Sequence, residues 1–76
     1  MITILFPSGN SFTATVDQAK RVVKGDRRVR GITPHLGGAQ WYASYEGSHD
    51  HVTWGYSVVA TDRATLERVV EHGEGA

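Results

Sequence analysis

Apolar and polar residues alternate with period two at the start of the chain. Ile2, Ile4 and Phe6 share one face of a predicted strand, and Phe12, Ala14 and Val16 share one face of the next. Between them, Pro7-Ser8-Gly9-Asn10-Ser11 is rich in residues that tolerate turn geometry. Pairing Phe6 with Phe12 makes the two apolar faces coincide, whereas a one-residue slip would send one of them into water. The period then lengthens to that of a helix. Thr15-Val16-Asp17-Gln18 has the Thr-x-x-Gln form of a capping box, Val16, Ala19, Val22 and Val23 make an apolar stripe, and Gly25 suits a left-handed terminus. Lys20, Arg21 and Lys24 fall on the opposite side. A helix this short does not persist alone, so it is expected to dock on a sheet.

Arg27 to Thr33 reads as a strand in which Val29 alternates with outward-facing Arg28 and Arg30, and Pro34-His35-Leu36-Gly37-Gly38 reads as a loop. The clearest hairpin follows. Pairing Gly47 with Asp50 sets Tyr45 opposite Val52, Ala43 opposite Trp54 and Trp41 opposite Tyr56, an aromatic face that belongs in the core. The polar face carries Gln40, Tyr42, Ser44 and Glu46 against His51, Thr53, Gly55 and Ser57, with Tyr42 its one large aromatic. Val58-Val59-Ala60 leads into a second helix, capped by Thr61, with Asp62 at its positive end, a Leu66, Val69, Val70 stripe, and Gly73 as its stop. Glu74-Gly75-Ala76 is expected to fray.

The predicted architecture is therefore a single α+β domain over residues 1–76. It is an antiparallel sheet of four or five strands with two helices on one face, in the order ββα-βββα. The other face would be open and polar, carrying Thr3, Thr13, Thr15, Ser44, Thr53 and Tyr42. Ala14-Thr15…Arg21-Val22-Val23 and Ala60-Thr61…Arg68-Val69-Val70 repeat the same strand-to-helix wording one residue out of step, which admits a duplication.

Composition narrows the class. The chain has 76 residues, 39% of them hydrophobic, with seven aromatics, a composition suited to one small core and unlike that of a disordered or membrane chain. No cysteine is present, so no disulfide or thiolate metal cage staples the fold, which fits a reducing cytosol. The apolar run after Met1 is too short to span a bilayer and lacks the flanks of a signal peptide, so a cytoplasmic protein is expected.

Net charge is zero, yet the charges are segregated. Lys20, Arg21, Lys24, Arg27, Arg28 and Arg30, six of the eight basic residues, crowd into one segment. From Glu46 onward six acids face only Arg63 and Arg68. Such a basic cluster suits phosphates or an acidic protein surface; its plain alternative is a solvated helix face and a charged strand edge. Together with Tyr42, which could anchor an interface or stack a base, these six residues form the candidate binding set.

No catalytic pattern competes with that set. In Ser48-His49-Asp50-His51, the two histidines could join Glu46 or His35 around zinc, but the residues also read as ordinary turn formers at a hairpin tip. Adjacent side chains on a strand point to opposite faces, so no Ser-His-Asp triad is formed there. Glu67 and Glu71 share one solvent-facing side of the last helix, and Gly37-Gly38 lacks the helix start of a phosphate loop. The expectation is a non-enzymatic protein without cofactor or metal, with a small metal-dependent hydrolase as the remote alternative.

Two family resemblances bear on the partner. Arg30-Gly31-Ile32-Thr33-Pro34-His35…Gly38…Trp41-Tyr42-Ala43-Ser44-Tyr45, then a strand and a Thr61-headed helix, resembles the DNA-binding modules of plant AP2 domains and phage-integrase arm domains. That resemblance implies a three-stranded sheet in the major groove, with Arg28, Arg30, Trp41 and Tyr42 at the DNA. The two strands from Trp41 onward carry no lysine or arginine, a departure from that family. Asp17-Gln18-Ala19-Lys20-Arg21-Val22-Val23, with the hairpin Trp41-Tyr42-Ala43-Ser44-Tyr45-Glu46…Trp54, is similar to small phage-encoded anti-CRISPR inhibitors of type I systems. That resemblance implies a cofactor-free phage or mobile-element accessory protein, acting in the host cytosol by occluding a nucleic-acid-binding surface. The expected partner is thus a protein or nucleoprotein complex, with nucleic acid itself as the alternative. Homodimerisation through an exposed sheet edge stays open.

Overall fold

The computed structural model describes residues 2–29 and 31–74. The alternating N-terminal segment forms β1 (Ile2–Leu5) and β2 (Ser11–Ala14), followed by α1 (Val16–Val23). Two short strands come next, β3 (Arg27–Arg28) and β4 (Thr33–His35), with a single 3-10 turn at Leu36–Gly38. The long hairpin β5 (Gln40–His49) and β6 (Val52–Ala60) then leads to α2 (Arg63–Glu74). All pairings are antiparallel, in the order β2-β1-β6-β5, with β3 and β4 sharing the far edge along β5. The class is the expected α+β, with six strands and the order ββα-ββββα in place of ββα-βββα.

The two helices pack against each other and cover one face of the sheet. Beneath them lie Ile2 and Ile4 of β1, Ala43 and Tyr45 of β5, and Tyr56, Val58 and Ala60 of β6. Ala19 and Val23 of α1 and Leu66, Val69 and Val70 of α2 close over these residues, all of them buried. Each fully buried aliphatic side chain here contributes roughly 1.5–3 kcal/mol relative to exposure, which is what holds helices too short to stand alone.

The local signals around α1 are met. Thr15 Oγ1 accepts from the Gln18 N–H and Gln18 Oε1 accepts from the Thr15 N–H, a complete capping box. Gly25 follows the helix with φ at 83°. Two positions differ from the reading: Val22 is exposed, and Thr15 serves as the helix cap instead of standing on the open sheet face.

Both hairpins keep the expected faces but slide in register. Phe12 pairs with Ile4 instead of Phe6, because the turn closes one pair further in, with the Phe6 N–H donating to the Asn10 carbonyl and the Gly9 N–H to the Phe6 carbonyl. The phenyl rings still meet diagonally, with centroids 5.7 Å apart. In the long hairpin His49 pairs with Val52 and Tyr45 with Tyr56, so the partner of each β5 residue lies four residues from the expected one. Turn chemistry decides this. The two-residue turn is Asp50-His51, both left-handed at φ 50° and 67°, a conformation that Asp and His tolerate better than most residues. Packing agrees: Trp54 lies opposite Gly47 instead of Ala43, and a β-carbon at Gly47 would sit inside its indole.

The remaining corrections concern ends and edges. The single strand expected from Arg27 to Thr33 is two strands on the same partner. Arg28 pairs with Tyr45 and Thr33 with Tyr42, so five steps along one strand span three along the other and the chain must bulge between them. Pro34 and His35, expected in a loop, belong to β4; proline is tolerated there because the strand is an edge. Val29 follows β3, its N–H donating to the Ser44 carbonyl, and is 47% exposed instead of facing inward. Asp62, and not Thr61, caps α2: its Oδ1 accepts from the Thr65 N–H at 2.7 Å and its Oδ2 from the Thr65 hydroxyl at 2.8 Å. The helix continues through Gly73 to Glu74.

Candidate binding surfaces

On the face away from the helices, β-alternation places one residue from each strand in a continuous row. The pairings Thr13–Thr3, Thr3–Val59, Val59–Tyr42 and Tyr42–Thr33 carry it from edge to edge. Every described strand position on this face, from Thr3 and Leu5 to Ser57 and Val59, is exposed or half-buried. A recess of about 460 Å³ is lined by Thr3, Leu5, His35, Gln40, Tyr42 and Val59. A second, of about 560 Å³, meets it at Leu5 and Ser57 and reaches Val29, Glu46 and Thr53. The two make one trough with an aliphatic floor and hydroxyl, amide and imidazole groups along its sides. His35 meets the Tyr42 ring edge-on at 5.9 Å, so the half-buried tyrosine is held in place at one wall.

The basic segment is distributed over several surfaces. Lys20 and Arg21 lie on α1 and Lys24 caps its C-terminus, with Arg21 and Lys24 exposed and Lys20 half-buried. Arg27 pairs with Glu46, on the open face, and is exposed. Arg28 pairs with Tyr45, on the helix side, and is half-buried. Arg30 lies outside the described residues. Of the candidate set, Arg27 and Tyr42 therefore share the open face, while Lys20, Arg21 and Lys24 form a group of their own. The residues through which the AP2 resemblance would place DNA divide likewise: Arg28 and Trp41 belong to the helix side, Tyr42 to the open side.

The sequence reading missed a third feature. Tryptophans were expected under the helices, and Trp41 is only partly buried there, with the Arg63 guanidinium 5.4 Å from its ring centre. Trp54 is 36% exposed. It stacks on Tyr56 at 5.8 Å, Tyr56 lies 6.3 Å from Phe6, and Phe6 stacks on Phe12. Around the buried Tyr56, the rings of Trp54, Phe6 and Phe12 form an exposed shelf at the margin of the core, with Phe6 and Phe12 37% and 42% exposed. Phe6, Phe12, Trp54 and Tyr56 all fall on the face expected to be inward, but only the structure shows that three of them stay exposed.

The shelf is fastened to the chain leaving α1. The Tyr56 hydroxyl donates to an Asp26 carboxylate oxygen and lies 3.5 Å from the Val22 carbonyl. Burial, and then the Asp26 carboxylate, hold this phenol well above its ordinary range, so it stays protonated and the link persists across physiological pH. Asp62 shifts the other way: the Thr65 N–H, then the Thr65 hydroxyl, lower its pKa.

Among the described residues no three or more His, Cys, Asp or Glu side chains gather as metal ligands, and no helix is long and apolar enough to cross a membrane. The Ser48–His51 run is divided by the turn, its first two residues ending β5 and its last two forming the tip. No family model matches the chain, and no match is found among curated proteins or solved structures.

Proposed function

We propose that this chain is a non-enzymatic binding module that occupies the surface of a protein or nucleoprotein partner with the open face of its sheet. The observation that carries this reading is the uncovered row Thr13–Thr3–Val59–Tyr42–Thr33, with its trough lined by half-buried aliphatic and polar groups. A face stabilised by its own hydrogen-bonded strands presents such groups rigidly, so little ordering entropy is lost on association. Tyr42 is the anchor, since interface energy concentrates in aromatic residues seated in partly dry pockets. Arg27 and its cross-strand neighbour Glu46, both exposed at the edge of the same face, offer the partner's rim one group of each sign. An accessory protein of a phage or mobile element that inhibits by occlusion, as anti-CRISPR proteins do, would use a face of this kind.

The test is capture of the partner from host lysate with tagged protein, repeated with Tyr42→Ala and Val59→Arg. Both variants should keep the wild-type circular dichroism spectrum and lose the captured species. Arg68→Ala, on the exposed side of α2, should retain it. A partner held equally well by folded Tyr42→Ala and Val59→Arg would place the contact elsewhere and refute the reading.

A further inference from the structure

We propose that the aromatic shelf on the opposite side of the sheet binds single-stranded nucleic acid. This site adjoins the second recess of the trough, which also touches Phe6, Trp54 and Tyr56, but it lies away from Tyr42 and does not depend on what the open face binds. Phe12 of β2, Phe6 just after β1, and Tyr56 and Trp54 of β6 are linked ring to ring at 5.7, 6.3 and 5.8 Å. Phe12, Phe6 and Trp54 each keep more than a third of their surface in water. The exposed ring surfaces of Phe12, Phe6 and Trp54, braced by the buried Tyr56, are where unpaired bases would stack, and stacking tolerates any base because each has a π-face.

Charge selects this occupant over an apolar protein segment. Lys24 stands between Val22 and Asp26, both of which meet the Tyr56 hydroxyl, so its backbone runs along the rim of the shelf. Arg21 precedes it by one helical turn. Both are exposed, and neither forms an ion pair with another described residue. Asp26, the acid of this stretch, is turned inward onto the Tyr56 phenol. Gly47 serves the same arrangement, because the indole of Trp54 lies where a β-carbon would project. Rings to stack bases, with cations beside them to neutralise phosphates, are the two elements of sequence-tolerant single-strand binding.

The experiment titrates the full chain into fluorescein-labelled twelve-nucleotide oligo-dT and oligo-U at low salt, reading anisotropy, and reads Trp54 emission in the Trp41→Phe variant, where Trp54 is the one remaining tryptophan. The proposal expects binding of one or both, with Trp54 emission changing and affinity falling linearly on a log–log salt plot. Phe12→Ala and Lys24→Glu, both at exposed positions, should fold normally and weaken binding about tenfold each. Tyr42→Ala, on the other face, should leave it unchanged. The proposal is overturned by no binding to either strand, by equal affinity for a duplex of the same length, or by affinity that survives folded Phe12→Ala. A concentration-dependent dimer in light scattering that Phe12→Ala abolishes, with no oligonucleotide bound, would assign the shelf to a second copy and overturn it as well.

Discussion

Neighbouring residues on one strand of this sheet serve different ends. On β6, Val58 is wholly buried against the helices while Val59 looks out over the open trough. The same division runs along β1, where Ile2 and Ile4 are buried and Leu5 is 41% exposed. Both faces carry aliphatic residues at the sheet centre, so hydropathy alone does not explain why one is covered. The difference lies in what each strand connects to. Ala14 and Ala60 both flank Ile2 and both lead into a capped helix, and the two helices fold back to the same side. One face thus accounts for the stability of the domain, and the other is left uncovered.

Truncation should separate the faces most strongly. Leu66→Ala empties a fully buried site between α2 and the sheet and is expected to cost about 2–5 kcal/mol in denaturant unfolding. Leu5→Ala, on the exposed face, should cost no more than about 1 kcal/mol. Similar losses for the two would erase the distinction.

Gly47→Ala sharpens the comparison at the edge of the core. Its β-carbon would occupy the place of the Trp54 indole, so the ring must leave Tyr56. A loss of about 1–3 kcal/mol and a changed near-ultraviolet dichroism are expected, with the helix signal intact. An unchanged aromatic signal would show that Trp54 does not depend on the missing side chain.

The smallest effect concerns the helix ends. Because Thr65 holds the Asp62 pKa low, the stability it gives is fully present above the unfolded carboxylate value of about 3.9 and is lost as pH falls through the lower folded value. Asp62→Asn keeps an oxygen for the Thr65 N–H but removes that titration, so melting temperatures measured from neutral to acid pH should fall less steeply than in the wild type. An identical acid limb would contradict the assignment of the cap.

How much of this was legible follows from what each signal measures. Period-two alternation named the inward faces of β1, β2, β5 and β6 correctly, because a slip by an even number of residues leaves each face intact. It could not set the slip itself. That was decided by the left-handed tolerance of Asp50-His51 and by the room that Gly47 leaves for Trp54, both pairwise matters. The capping box of α1 was readable because all its partners lie within four residues; at α2, Thr61 and Asp62 are both good caps, and only the geometry chose between them. The basic segment was legible as a cluster along the chain, not in space. It crosses from α1 to the far edge of the sheet, and strand alternation then sends Arg27 and Arg28 to opposite faces.

The most direct measurement makes one substitution at two adjacent sites, Val58→Thr and Val59→Thr, and compares their unfolding in denaturant. A hydroxyl at position 58 would be buried among aliphatic groups at a cost of about 1–3 kcal/mol, whereas at position 59 it faces water and should change stability by no more than about 0.5 kcal/mol. Equal losses at the two positions would mean that both faces of the sheet are covered, and that no free face exists for a partner to occupy.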